Sequence, residues 1–157
     1  MLPYLPYGRV GWRGVTLNRR TVDALRWVER RAKVPLSPAQ GSYNRGVAAS
    51  AGTHDGGGAV DLRVGSYSED QRIAVVRALK DAGFAAWFRP YNWDGRGGGA
   101  HIHALLIGDK EMAAGARSQV LSYDAGRDGL RGNRPDPTYR PKPRKQWSYT
   151  LGRPVTR

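Results

Sequence analysis

The clearest pattern along the chain is helical. Over residues 21–34, Val22, Leu25, Val28 and Ala32 recur at three- and four-residue spacing, with Arg26, Arg30 and Arg31 between them. That spacing predicts an amphipathic helix, ended by Pro35 and Pro38. A second helix is expected to begin at Ser68, whose hydroxyl can cap the first turn while Gln71 reaches back; Ile73, Val76 and Leu79 would form its buried stripe. Gly83 is placed to stop it. Two apolar runs follow, 84–88 and 100–107, separated by a loop rich in Gly, and read as neighbouring antiparallel strands. Met112, Ala113, Ala116, Val120 and Leu121 predict a third helix over about 110–121. This mixed order points to an α+β fold, a small antiparallel sheet flanked by about three helices.

Composition sets the boundaries. The 157 residues, 39% hydrophobic, suffice for one compact unit, expected over 1–125. Residues 126–157 are rich in Pro, Arg and Gly, with nine Lys or Arg against two Asp, and read as a basic C-terminal tail that buries little core. Trp147, Tyr149 and Leu151 could still dock it. The formal charge of +13 implies attraction to a polyanion, whether nucleic acid, a membrane surface or an anionic cell wall. No stretch approaches the roughly 20 apolar residues of a membrane span, and the start lacks the basic and apolar regions of a signal peptide. With no cysteine, disulfides and thiol chemistry are excluded, so any metal site must use His, Asp or Glu.

Those residue types are concentrated. The three histidines, His54, His101 and His103, all fall in Gly-flanked segments, and Asp61 follows the first by seven residues. In a strand His101 and His103 project to one side while Ile102 and Ala104 face the other. Two imidazoles and a carboxylate around zinc leave a fourth position open, the arrangement of a hydrolytic rather than a structural site. Neither Gly-rich loop leads into Gly-Lys-Ser/Thr or carries a dinucleotide fingerprint, so neither reads as a phosphate cradle.

The pattern His54-x-x-Gly57-x-Ala59-x-Asp61-Leu62, followed by His101-x-His103, resembles the zinc peptidases of peptidoglycan: the D-alanyl-D-alanine carboxypeptidases, the L-alanyl-D-glutamate endopeptidases and the lysostaphin-type enzymes, which share a metal core with hedgehog domains. The resemblance covers about residues 20–125 by order of elements, and its specificity lies in the two motifs. It implies that His54, Asp61 and His103 hold Zn2+ on the small sheet, and that His101 stays free as a general base or stabiliser of the tetrahedral intermediate. It also makes Tyr43, Asn44 and Arg45 candidates to hold a substrate carboxylate or the oxyanion. Trp93, with Trp87 and Tyr91, is a candidate wall for glycan or stem peptide.

Two positions depart from the pattern: Gly52 stands where many relatives have Ser, and Ala100 where many have Glu. Without that Glu, proton transfer falls to His101, which favours endopeptidase activity. The expectation is therefore a monomeric, endolysin-like enzyme acting on bacterial peptidoglycan, its basic tail drawn to anionic wall polymers. Lacking a signal peptide, it would be made in the host cytoplasm as a bacteriophage lysin or carried on the virion. The competing expectation is a catalytically inactive, hedgehog-like metal-binding domain whose tail binds cell wall or nucleic acid.

Overall fold

The computed structural model describes residues 3–157. The chain is α+β, and its order follows from local chemistry. A hairpin of β1 (Arg9–Trp12) and β2 (Val15–Asn18) leads directly into α1 (Arg19–Ala32). Asn18 is the cap: its Oδ1 accepts from the Thr21 backbone N–H at 2.9 Å and the Thr21 hydroxyl at 2.7 Å. The helix thus starts and ends two residues before the predicted span, with Lys33 closing it in the left-handed region. The second helix, α2 (Glu69–Ala82), has the predicted capping box between Ser68 and Gln71, and Gly83 closes it at φ +106°. A Cβ at Gly83 would sit 2.8 Å from Gln146 Cα, so the position demands glycine for its torsion and for its close neighbour.

The central sheet has the order β3 (Pro38–Gln40), β4 (Ala59–Arg63), β6 (His101–Leu106), β5 (Phe84–Arg89), all antiparallel. The pairing of β5 with β6 is as expected from their apolar runs. Alternation gives the sheet two unlike faces. Val60, Leu62, Ile102, Ala104, Leu106, Phe84 and Ala86 point to a dry core completed by Val22, Leu25 and Val28 of α1 and Val75, Ala78 and Leu79 of α2. Burying each large aliphatic side chain there contributes about 1.5–3 kcal/mol. On the other face Ala59, Leu105, Ala85 and Trp87 pack with Met112, Ala116 and Tyr123, a smaller cluster contributed partly by α3 (Ala114–Asp124).

Three expectations are corrected. The buried side of α2 is Val75, Ala78, Leu79 and Ala82, whereas Ile73 is exposed, because the helix turns its Ala/Leu side rather than its Ile side to the sheet. The third helix begins later than about 110, since Asp109 uses a carboxylate oxygen and its carbonyl to hold the backbone N–H groups of Glu111 and Met112 in a preceding turn. Leu121 is accordingly exposed and Tyr123 takes the buried place. Finally, residues 126–157 are built into the fold. Trp147, on β7 (Lys145–Ser148), belongs to the dry core and meets Trp27 edge-on, while β7 pairs with β8 (Arg153–Thr156). Tyr149 and Leu151 remain exposed, Tyr149 stacked on Tyr4. No helix is long and apolar enough to cross a membrane among the described residues.

Candidate metal centre

The second face of the sheet carries two cross-strand rows. One reads Asp61, His103, Trp87 across β4, β6 and β5; the next reads Arg63, His101, Arg89. His54 arrives from the loop before β4. That loop is held in place by Gly57, whose N–H donates to the Glu111 carbonyl and where a Cβ would lie 2.8 Å from the Asp109 carboxylate. Around Asp61 the contacts are short: Oδ1 lies 2.8 Å from His103 Nδ1 and 3.2 Å from His54 Nε2, and Oδ2 lies 3.8 Å from His101 Nε2. His54 and His103 are buried and His101 is half-buried.

The outer nitrogens of the two buried rings are already used. His54 Nδ1 lies 2.7 Å from the Gly41 carbonyl, and His103 Nε2 lies 2.8 Å from Gln119 Oε1. Gln119 is oriented in turn, because its amide nitrogen donates to the Gly129 carbonyl at 3.2 Å. A neutral imidazole carries one N–H, so each ring donates outward and turns a bare lone pair inward. Two lone pairs and a carboxylate then face one another, and that concentration of negative charge calls for protons or a cation between them.

The titration shifts follow from this crowding. Burial alone would raise the Asp61 pKa, but when protons rather than a cation sit between the groups, His103 and His54 donate to Asp61 and, with their charges, hold it well below the usual carboxylate range. Burial lowers His54, yet Asp61 and the Gly41 carbonyl outweigh it and its pKa is raised. For His103 burial wins over Asp61, and its pKa is lowered. The ligand atoms of His54, Asp61 and His103 all lie within 4.8 Å of one another, and this group could hold a metal ion. The donors fit: three ligands of the right type, two with their tautomers fixed by a partner behind them.

The trio opens on a cleft of about 600 Å³, walled by Gln40, the loop from 93 to 99, and the segment 128–134. His101 lines it, with Nδ1 2.9 Å from the Gly99 carbonyl and the edge of Trp93 5.5 Å from its ring. Trp93 lines the same cleft. Trp87 stacks on His103 at 6.1 Å instead of walling the cleft, and its indole N–H donates to the Arg127 carbonyl. Tyr43, Asn44 and Arg45 are not part of the cleft lining. Tyr43 donates to Glu111 and accepts from Asn18; burial, with the Glu111 carboxylate, pushes its phenol up to about 12 against the opposing hydrogen bond from Asn18.

Sequence reasoning missed Gln119, Arg89 and the contribution of 128–134. Gln119 on a helix reads as an ordinary polar surface position. Arg89 was accessible through strand alternation, being two residues from Trp87 and paired in register with His101. Burial lowers the Arg89 pKa to about 10, against the opposing charges of Asp128, Asp61 and Asp136. No family model, curated protein or solved structure matches the chain.

Proposed function

We propose that this protein is a zinc-dependent peptidase of bacterial peptidoglycan, hydrolysing a peptide bond of the stem peptide or cross-link. The observation that carries this reading is the convergence of two inward-facing imidazole lone pairs and one carboxylate at the floor of an open cleft, with a third, uncommitted histidine beside them. Two nitrogen donors and one oxygen donor suit zinc, and three protein ligands leave room for a reactant. Held by His54, Asp61 and His103, zinc would supply Lewis-acid polarisation of the attacked carbonyl and a nucleophile at neutral pH.

The chain's own residues supply the rest. The Nδ1–H of His101 is directed to the Gly99 carbonyl, so its Nε2 presents a lone pair towards the Asp61 side of the cleft. From there it can take a proton from the attacking water and return it to the departing amine. Ala100 supplies no carboxylate of its own to share that task, and the nearby Asp61 is taken up as a metal ligand. Trp93 fixes the ring edge-on and offers an aromatic wall to the substrate. Gln119 and the Gly41 carbonyl keep the two ligand rings in the required tautomer.

The test is wall hydrolysis. Purified protein is incubated with peptidoglycan, with and without a chelator, and new amino and carboxyl termini are followed by mass spectrometry. Cleavage should stop on chelation, and His101→Ala should keep zinc while losing most hydrolysis. If zinc-loaded protein binds several wall types and releases nothing, a non-catalytic metal-binding domain is the better account.

A further inference from the structure

The histidine and aspartate trio leaves part of the cleft unaccounted for. Its lining also holds three guanidinium groups, Arg89, Arg131 and Arg134. None of them forms an ion pair among the described residues. Arg89 is the informative one. It is 3% exposed, stands in register with His101, lies 4.9 Å from the Trp87 ring centroid, and has an Nη2 with no hydrogen-bond partner. A permanently charged, planar fork with an unused buried donor is costly unless an acceptor arrives.

The acids of the cleft are engaged elsewhere. Asp61 Oδ1 faces His103 and His54. Asp94 Oδ1 accepts the backbone N–H groups of Arg96 and Gly98, and Asp128 Oδ1 those of Leu130 and Arg134. Among the described residues, then, none of these acids closes an ion pair with Arg89, although Asp128 and Asp61 are near enough for their charge to favour its charged form.

We infer that Arg89 is an anion subsite of the cleft, seating a carboxylate of the substrate alongside His101, with Arg131 and Arg134 attracting that charge from the rim. A single planar fork matches the two coplanar oxygens of a carboxylate. That the carboxylate belongs to a peptide rests on the peptidase reading; the subsite itself rests on Arg89. In a stem peptide such a group has two sources, the carboxylate of an acidic residue or the free C-terminus.

Four versions of an acidic wall tripeptide separate these sources: both carboxylates free, the acidic residue amidated, the C-terminus amidated, and both amidated. The full chain is titrated with each by calorimetry, zinc-loaded and again after chelation. Amidating the recognised carboxylate should weaken binding about 10- to 100-fold, and amidating the other should not. Arg89→Gln should bring the charged peptide down to its amide, and Arg89→Lys should retain part of the difference. Equal binding of the fully charged and fully amidated peptides by the unsubstituted protein, including binding of neither, overturns the subsite whether or not the variants fold. Full discrimination in folded Arg89→Gln overturns it too. A chain that discriminates through Arg89 but cuts no wall loses the peptidase reading alone; one that cuts charged and amidated peptides equally well loses the subsite alone.

Discussion

The two faces of the central sheet are made by the same three strands and do opposite work. On one, Leu62 and Ile102 sit in a dry core between two helices; on the other, their immediate neighbours Asp61 and His103 form a polar cluster under a cleft. The dry face is close to self-sufficient: its apolar groups find apolar partners within the fold, and the Trp147 indole N–H is the exception there that lacks a hydrogen-bond partner. The polar face is not. Its inward lone pairs and the open donor of Arg89 are satisfied only by something added, which is the expected trade of local stability for binding. Adjacent residues on one strand thus allow stability and binding to be perturbed separately.

The largest expected effect is on the dry face. Leu62→Ala should cost about 2–5 kcal/mol of folding stability, read by denaturant unfolding, with metal affinity of the folded fraction little changed. One residue away, Asp61→Ala should do the reverse. If an apparent zinc energy of order 10 kcal/mol is shared among three ligands, losing one weakens binding a few hundred-fold by competition titration. Near-normal zinc affinity in that variant would sink the proposed centre. Gln119→Ala should lower zinc affinity about 10- to 100-fold while leaving the unfolding midpoint close to that of the unsubstituted protein.

Smaller effects come from pH. The folded pKa of Asp61 is depressed, so its contribution to the metal-free protein is present above the usual value of 3.8 and is lost as pH falls below it. Thermal unfolding across that range should be flatter in Asp61→Asn. His54 has a raised pKa, so protons should compete with metal at higher pH than for an ordinary histidine, and zinc affinity should already be falling as pH drops towards 6.5. A pH-independent affinity across that window would remove His54 from the ligand set.

Much of this division could be read without coordinates. Strand alternation places His101 and His103 together, and the capping box and Gly83 fix α2, because these are interactions within a few residues. The helix boundaries moved at contacts just as local that apolar periodicity does not mark: Asn18 caps α1 through Thr21, and Asp109 holds the N–H groups of Glu111 and Met112 in a turn before α3.

The sequence alone determined the α+β class, the amphipathic helices, the β5 and β6 pair and the residues of the candidate metal group, since each depends on periodicity or on the chemistry of rare side chains. Only tertiary structure decided that Trp147 belongs to the core, that Gln119 stands behind His103, and that Tyr43 turns to Glu111. Those outcomes depend on which segments far apart in the chain share a volume and exclude water from it. No local pattern encodes that.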